Sequence, residues 1–291
     1  MNENRFYLID KPLDYSSFDV IRVLRKTLNI RKMWHTGTLD PLATGGLLIA
    51  TWNYTKLIPY FEKDKKTYEF TISLDWFTSS FDLWEEVHFL DKTLQEKYKK
   101  ELKIEKIKEI LKEKFTWNIK QIPPKYSALK INWKKACDLM REGKEIEMKL
   151  REVTIYNIEI LDYNYSLLSL KAEVSAWTYI RSIANDLWNI LWTGWYITKL
   201  RRIKIWDLDI SFWQNLDNFD WEKILDIKEI FRNKEFIKLD DNILKKINDW
   251  LKVKWYFNYK QWVDLFVYDE KNNITNIVEY DWIILKAKRK I

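Results

Sequence analysis

The scarcity of glycine is the feature of this sequence that most restricts its fold. The chain contains only 5 glycines among its 291 residues, beside 17 tryptophans, whereas glycine usually makes up about 7% of a protein. Because glycine supplies positive-φ turns and close backbone approaches, so few glycines limit the turns that the chain can make. Glycine and tryptophan together number 22, near the usual share of glycine alone. This arithmetic suggests that many of the tryptophans stand at glycine positions.

Several classes of protein are excluded by the sequence. No run of 18 apolar residues is present, so a membrane span is not expected. The N-terminus is polar and leads directly into a strand-like run, unlike a signal peptide. Cys137 is the single cysteine, which permits no internal disulfide and predicts a cytoplasmic location. Because His35 and His88 are the only histidines, a Cys/His zinc site is not expected.

The charge balance favours a polyanionic partner. The chain has 50 Lys and Arg against 43 Asp and Glu, which gives a net charge of +7 and an isoelectric point near 9.0. A basic surplus of this kind is typical of proteins that bind nucleic acid. A basic isoelectric point also occurs in proteins that bind no nucleic acid, so the motifs must decide.

Hydrophobic periodicity predicts two domains. Strand-like and helix-like patterns are mixed through residues 1–235, which predicts an α/β body. Residues 251–291 alternate between apolar and polar side chains, as strands do, and end in the basic segment LKAKRKI. We therefore predict a small C-terminal β-domain over residues 236–291.

Local patterns predict individual elements of the body. Ser16 and Ser17 are candidate N-caps for a first helix, in which apolar residues recur at helical spacing. The Lys- and Glu-rich residues 91–114 predict solvated amphipathic helices. Residues 31–46 are polar and turn-rich, which predicts a loop. Residues 203–210 are predicted as a strand, and helical segments are expected near residues 221–232.

The segment HTGTLDPLATGG, residues 35–46, carries the strongest chemical signal. It places one carboxylate, Asp40, in a loop fixed by Pro41 and flanked by small residues that let another backbone come close. The alternative is an ordinary Asp-Pro turn, which the spacing alone does not exclude.

Four further motifs accompany this loop, namely LIDKP (8–12), KKTYEF (65–70), PPKYSALK (123–130) and TYIRSIANDL (178–187). In this order, the five motifs resemble those of the TruB-type tRNA pseudouridine synthases. The resemblance implies a mixed α/β (α+β) pseudouridine synthase fold with a central, mainly antiparallel sheet. It also implies a small C-terminal PUA-like domain that binds RNA.

The resemblance further implies the reaction. TruB-type enzymes convert one uridine, position 55 in the T-loop of tRNA, to pseudouridine without a cofactor or a metal ion. The uracil leaves its sugar, rotates and rejoins through carbon, so the base must first flip out of its stack. We therefore expect a monomeric cytoplasmic isomerase that binds the tRNA T-arm and needs no protein partner.

Three residues match the catalytic positions of that family. Asp40 matches the catalytic carboxylate, which acts as a nucleophile or as a base on the sugar. Arg181 matches the arginine that pairs with it, although a surface position on a helix is the alternative. Tyr68 matches the tyrosine that stacks on the flipped uracil, although a strand tyrosine is more often a core residue.

Other residues match positions around the pocket. His35 matches the histidine that supports distortion of the RNA loop, whereas a lone histidine is usually structural. Four residues match positions that line the pocket or the RNA-binding cleft: Lys11, Tyr179, Lys130 and Leu200.

Two segments depart from the family pattern. Residues 74–82 read LDWFTSSFD, with Ser79 where an aspartate is common, and Cys137 stands where a tyrosine is common. These departures put the contacts around residues 74–82 in doubt, but they do not involve Asp40.

At least six tryptophans stand at glycine positions of the family motifs, and glycine is suspected at Trp34, Trp52, Trp117, Trp133, Trp177, Trp188, Trp192 and Trp195. Replacing glycine by the largest side chain at so many turns is physically implausible. We therefore hypothesise that the gene uses UGA as a glycine codon, translated here as tryptophan. If the tryptophans are real, Trp188, Trp192 and Trp195 would form an aromatic stripe on a helix, suited to a core or an interface.

Two other functions compete with a tRNA-modifying enzyme. The first is the catalytic subunit of an RNA-guided pseudouridine synthase, which shares the core motifs but requires guide RNA and partner proteins. The second is a non-catalytic protein that binds or folds tRNA. The presence of Asp40, Tyr68 and Arg181 together argues against the second.

Overall fold

The computed structural model of the protein describes residues 3–61, 65–77, 88–191, 196–255, 263–270, 272–281 and 283–291. Its strands are, in chain order, β1 (Phe6–Lys11), β2 (Met33–His35), β3 (Ala43–Thr51), β4 (Lys66–Ser73), β5 (Trp76–Phe77), β6 (His88–Phe89), β7 (Trp117–Gln121), β8 (Lys130–Ile131), β9 (Lys134–Lys135), β10 (Arg151–Asn164), β11 (Leu167–Val174), β12 (Tyr196–Ile205), β13 (Leu208–Asp209), β14 (Gln214–Asn215), β15 (Glu235–Ile237), β16 (Val253–Lys254), β17 (Val263–Tyr268), β18 (Ile274–Tyr280) and β19 (Ile284–Lys290).

The helices lie between these strands. The α-helices are α1 (Ser17–Leu28), α2 (Lys92–Glu101), α3 (Ile104–Lys114), α4 (Ala136–Arg141), α5 (Ile180–Leu191), α6 (Ile227–Ile230) and α7 (Asp241–Asn248). Two further segments, Trp52–Phe61 and Ile210–Phe212, are 3-10 helices. None of the helices in the described ranges is long and apolar enough to cross a membrane.

A mixed sheet forms the centre of the body. Ten strands of the described chain belong to it, in the order β14-β1-β3-β12-β4-β11-β10-β7, with β2 beside β3 and β13 beside β12. The pairs β1–β14 and β3–β12 are parallel, and the other pairs are antiparallel. The predicted α/β architecture with a central, mainly antiparallel sheet is therefore confirmed.

The first helix shows how the sequence sets the local structure. Ser16 caps α1, since its side chain accepts from the Asp19 amide and the Asp19 carboxylate accepts from the Ser16 amide. Asn29 ends the helix in the left-handed region, at φ 52°. The buried face of α1, which includes Val20 and Leu24, packs with apolar residues of β1 and β3. This packing places the start of α1 beside the loop that precedes β3.

Strand β12 brings distant segments of the chain together. Leu200 and Arg202 on β12 pair with Ala43 and Gly45 at the start of β3. On its other side, β12 runs antiparallel to β4, where Arg202 faces Tyr68. The loop that carries Asp40 leads directly into β3, so it lies next to β12 and one strand away from β4.

Three local predictions hold only in part. Residues 31–46 contain β2 and the start of β3, because Gly45 and Gly46 continue the buried strand by pairing with β1. The strand predicted at 203–210 begins at Tyr196, and β12 ends at Ile205 before a tight turn. In residues 221–232 only α6 is α-helical, because the segment is held by loop contacts such as that of the Gln214 side chain with the Lys223 carbonyl.

The C-terminal residues form a separate sheet, in the order β15-β17-β18-β19-β16. One apolar cluster joins this sheet to the body, since Phe6 and Phe61 pack with Phe231, Phe266 and Ile277. The small C-terminal β-domain is thus present. Its first strand, β15, includes the last residue of the predicted body, and the boundary between residues 235 and 236 stays a prediction.

Tryptophan is over-represented at one unusual kind of backbone position. Among the described residues, ten other than glycine have positive φ, and four of these are Asn or Asp, which tolerate that conformation. The other six are all tryptophan: Trp52, Trp117, Trp133, Trp177, Trp206 and Trp250.

Four of those six, Trp52, Trp117, Trp133 and Trp177, are among the eight tryptophans at which the family motifs led us to suspect glycine. Trp34 lies in β2 and Trp188 in α5, and neither has positive φ. Trp192 and Trp195 lie outside the described residues.

Candidate active site

Asp40 lies in a short loop that is fastened at several points. Its carbonyl accepts from the Ala43 amide at 3.0 Å, and the next carbonyl, of Pro41, accepts from the Asp14 amide at 3.0 Å. On the other side of Asp40, the buried Leu39 exchanges two hydrogen bonds with the Ser17 hydroxyl, of 2.8 and 3.1 Å. The Asp40 side chain itself remains 31% exposed. The loop therefore presents a fixed carboxylate that a substrate can reach.

Arg181 holds this carboxylate from the protein side. Its Nε lies 2.9 Å from Oδ2 of Asp40, and its Nη2 lies 3.1 Å from Oδ1. Nη2 also donates to the Tyr126 carbonyl at 2.8 Å, and the side chain is only 3% exposed. The alternative of a surface position for Arg181 is wrong, and the structure brings the predicted pair together.

The beginning of α5 is fixed, which in turn fixes Arg181. The Gln121 side chain accepts from the Tyr179 amide at 2.8 Å and donates to the Tyr179 carbonyl at 3.1 Å. The Ser182 hydroxyl donates to the Ile122 carbonyl at 2.7 Å. These contacts hold the start of α5 against the end of β7 and the residue that follows it. The backbone of Arg181 is therefore fixed in a position from which its guanidinium reaches Asp40.

Lys11 lies beneath the Asp40 loop and is fully buried. Its ammonium group donates to the carbonyls of Pro12, Tyr15 and Pro41. Burial lowers the pKa of Lys11 to about 8, against the opposing effect of the Asp40 charge. Lys11 therefore supports the loop through its Pro41 contact rather than facing open solvent.

Tyr68 and Leu200 lie in the apolar core of the body. Both are buried, and they belong to one packed cluster with Leu39 and Leu42, which flank Asp40 in sequence. Tyr68 projects from β4 and Leu200 from β12. Tyr68 is thus a core residue, in the same apolar cluster as the two leucines that flank Asp40.

His35 and Tyr179 lie near the same loop. The ring of His35 stacks on Trp34 with centroids 5.2 Å apart, and burial together with the charges of Arg202 and Lys135 lowers its pKa to about 4. His35 is therefore neutral at pH 7. The pKa of the Tyr179 hydroxyl is raised, mainly by burial and also by the charge of Asp40.

Lys130 is placed differently from the other candidates. It lies exposed on β8, in a small hairpin whose strand β9 contains Lys135. Lys130 pairs with Lys135 across the two strands of this hairpin. Within the described chain, no hydrogen bond joins Lys130 to Asp40. Lys130 therefore belongs to the surface around the site rather than to the carboxylate's own contacts.

Known proteins are similar to this chain over most of its length. The sequence model of the TruB family pseudouridylate synthase, N-terminal domain, matches residues 25–180. A tRNA pseudouridine synthase B of Endomicrobium trichonymphae is 39% identical over 84% of this chain and 96% of its own length. This chain belongs to the TruB family of pseudouridylate synthases.

Other members of the TruB family extend the match. The enzyme of the same name from Aquifex aeolicus is 36% identical over 77% of this chain and 78% of its own length. The one from Mycoplasma mycoides subsp. mycoides SC is 30% identical over 99% of this chain and 97% of its own. The similarity therefore includes the C-terminal domain.

Solved structures confirm the pseudouridine synthase fold of this TruB-family chain. An H/ACA RNP bound to a substrate RNA containing 2'-deoxyuridine matches with a TM-score of 0.70 at 17% identity, over 98% of this chain and 84% of that one. An archaeal box H/ACA sRNP Nop10-Cbf5 complex matches with a TM-score of 0.68 at 17% identity, over 98% and 85%. At these identities the likeness establishes the fold alone.

Arg202 is a residue of this TruB-family site that the sequence analysis did not name. Its side chain is buried, and it donates through Nε to the Gly46 carbonyl at 2.7 Å and through Nη2 to the Gly37 carbonyl at 3.1 Å. Its backbone lies so close to Gly45 that a Cβ there would be 2.2 Å from the Arg202 carbonyl oxygen. Arg202 therefore fixes both ends of the Asp40 loop.

The sequence contained a signal for Arg202. The paired glycines at 45 and 46 indicate a close backbone approach, and consecutive arginines in an apolar strand indicate a buried cation that needs partners. In this TruB-family chain, Arg202 pairs with Gly45 across the strands β12 and β3. Only the topology of the sheet identifies it as that partner.

Over the described ranges, no group of three or more His, Cys, Asp or Glu residues is placed so that it could hold a metal ion.

Proposed function

We propose that this protein isomerises a uridine of tRNA to pseudouridine, at position 55 in the T-loop, with Asp40 as its catalytic carboxylate. The observation that carries the proposal is the Asp40–Arg181 pair, in which a buried guanidinium contacts both oxygens of a partly exposed carboxylate. An ion pair that only stabilises the fold does not require one partner to stay accessible to a substrate, whereas the Asp40 carboxylate is 31% exposed in a loop that is fixed on both sides.

The reaction is an isomerisation in which every atom is accounted for. The bond between C1′ of the ribose and N1 of the uracil breaks, and a bond from C1′ to C5 forms. The hydrogen on C5 leaves as a proton, and N1 gains a proton. Asp40 acts in this proposal as a nucleophile or as a base on the sugar, and Arg181, which contacts both of its carboxylate oxygens, holds it in place.

The target base must leave its stack before this chemistry can begin. Flipping a base costs a few kcal/mol, which contacts to the protein have to offset. Tyr68 stacks on the flipped uracil in this proposal, and His35, whose ring burial keeps uncharged, supports the distorted RNA loop. Phosphate contacts of the basic surface supply further binding energy, since the chain carries a net charge of +7.

The choice of tRNA as substrate rests on the sequence relatives. The named relatives at 30–39% identity are tRNA pseudouridine synthases, whereas the RNA-guided complexes share only the fold at 17% identity. This difference favours a tRNA enzyme over an RNA-guided subunit. In the proposed function, the chain works as a cytoplasmic monomer without a cofactor or a protein partner, and residues 236–291 bind RNA as a PUA-like domain.

The test is pseudouridine formation in a T-arm transcript, measured as tritium release from uridine labelled at C5. We expect activity without guide RNA or partner proteins. Asp40→Asn should lower kcat by about 10³-fold or more, as loss of a central catalytic group does, while RNA binding is retained. The control is Asp162→Asn, a carboxylate exposed on β10, which should keep full activity.

Each competing function predicts a different result. An RNA-guided subunit would form product only after guide RNA and partners are added, and a non-catalytic RNA-binding protein would form none under any condition. If Asp40→Asn still formed pseudouridine at the original rate, the role of Asp40 would be wrong even if the enzyme is a synthase.

A further inference from the structure

We infer that the protein made in the cell carries glycine, not tryptophan, at positions 52, 117, 133, 177, 206 and 250. These are the six tryptophans with positive φ in the described chain. Two of them, Trp206 and Trp250, were not identified by the motifs and are recognised from the backbone alone. The inference concerns the identity of the residues, and it is independent of the function proposed above.

Two helix ends in the molecule provide a direct comparison. After α4, the amide of Gly143 donates to the Met140 carbonyl and that of Lys144 to the Leu139 carbonyl, both at 3.0 Å. This is the Schellman ending, whose left-handed residue is usually glycine, and Gly143 has φ 72°.

The end of α7 repeats the same pattern with tryptophan. The amide of Trp250 donates to the Ile247 carbonyl at 3.0 Å, and that of Leu251 to the Lys246 carbonyl at 2.9 Å. Trp250 has φ 60° and is 62% exposed. The same hydrogen bonds and the same backbone conformation therefore occur once with glycine and once with tryptophan.

Two tight hairpins point to the same conclusion. Between β8 and β9, Asn132 and Trp133 form a two-residue turn with φ 47° and 70°. Positive φ at both positions defines the type I′ turn, for which Asn-Gly is the favoured sequence. Trp133 stands at the glycine position and is 92% exposed, so no packing compensates for the strain.

The second hairpin joins β12 to β13 through Trp206 and Asp207. Only its first residue, Trp206, has positive φ, at 54°. This is the pattern of the type II′ turn, whose first central position is normally glycine. The ring of Trp206 contacts Phe61, with centroids 4.4 Å apart. A tryptophan that packs in this way could be genuine, so the residue at position 206 is tested separately below.

The remaining positions lie in a turn or at the first residue of an element. Trp177, at φ 68°, is the third residue of the turn from Ser175 to Thr178, where positive φ calls for glycine. Trp117, at φ 61°, is the first residue of β7 and is 71% exposed, and Trp52, at φ 49°, is the first residue of the 3-10 helix that follows β3.

The selectivity for one residue type is the decisive point. Apolar and aromatic residues make up 47% of the chain, yet among the described residues tryptophan is their only representative at positive φ. If the backbone tolerated bulky residues there, Leu, Ile, Phe and Tyr would occur as well. A codon that the cell reads as glycine, and that the translated sequence shows as tryptophan, accounts for this restriction.

The deciding experiment is peptide mass spectrometry of the protein isolated from its own cells. Peptides that contain positions 133 and 250 should each have the mass expected for glycine. Tryptophan masses at both positions would overturn the inference, whatever the recombinant proteins do. Peptides with position 206 test whether a glycine also replaces a tryptophan that makes ring contacts.

A recombinant comparison tests the backbone argument separately. Three chains are made, with tryptophan, alanine or glycine at all six positions, and their thermal unfolding midpoints are compared. Alanine removes the indole but keeps Cβ, so we expect glycine to give a clearly higher midpoint than alanine, and alanine to recover only part of the difference. Equal midpoints for alanine and glycine would overturn the argument from positive φ.

Discussion

The ends of α4 and α7 have the same hydrogen bonds, with Gly143 at one and Trp250 at the other. The free-energy cost of a Cβ at this left-handed position can therefore be measured by removing the Cβ at Trp250 and by adding one at Gly143. The perturbation is Trp250→Gly, made in a chain that already has glycine at the other five left-handed tryptophan positions. A residue with a Cβ in the left-handed region costs about 1–2 kcal/mol. Since Trp250 is 62% exposed, its indole contributes little burial to offset this cost. We expect the free energy of unfolding to rise by about 1 kcal/mol or somewhat more.

The reverse change is made at Gly143. A Cβ built at Gly143 would meet no atom within 4 Å, so Gly143→Ala perturbs only the backbone at φ 72°. This variant should lose about 1 kcal/mol of stability. Trp250→Ala is the matched control at the other helix end, because it removes the indole but leaves the Cβ in the left-handed region.

The assay is urea unfolding followed by circular dichroism, together with thermal midpoints. About 1 kcal/mol corresponds to a shift of roughly 2–4 °C in a domain of this size class. The reasoning is refuted if Trp250→Gly lowers the midpoint, or if Trp250→Ala raises it as much as Trp250→Gly does. In either case the indole, and not the backbone conformation, would set the stability at this position.

Three further changes test the site. Arg181→Lys keeps the positive charge but not the two-point contact with Asp40, so kcat should fall about tenfold to a hundredfold with little change in KM; an unchanged kcat would contradict the positioning role. Arg202→Lys loses the contacts with the Gly37 and Gly46 carbonyls and should lower both kcat and the unfolding midpoint, and a fall in the midpoint alone would limit Arg202 to stability. The pKa of His35 is lowered from 6.5 to about 4 by burial, so the unfolded chain binds a proton in this interval that the folded chain does not. The resulting stability is complete above pH 6.5 and is lost as the pH falls toward 4; His35→Gln should lose less stability between pH 7.5 and 5 in urea titrations, and equal losses would contradict the assignment.

The sequence predicted the centre of the site well because its motifs are local. The segments around Asp40 and Arg181 each carry a recognisable pattern, and the structure joins the two side chains although 141 residues separate them. The helix α1 was predicted from Ser16 and its periodic apolar residues, and the structure adds the capping interaction with Asp19.

The parts that were missed depend on long-range pairing. Strand β2 has only three residues, and it exists because it pairs with the end of β3. The early start of β12 at Tyr196 is set by pairing with Ser73 on β4. Arg202 acquires its role only when β12 lies beside β3 and brings the guanidinium to the carbonyls of Gly37 and Gly46.

The position of β12 between β3 and β4 also has a consequence for folding kinetics. The parallel pairing of Leu200 with Ala43 joins segments separated by more than half of the chain, and contacts of such high sequence separation form slowly. Asp40, Arg181 and Arg202 meet only after this pairing is made. During refolding, catalytic activity should therefore recover later than the helical circular dichroism signal. The rate at which activity returns would then measure how fast β12 pairs with β3.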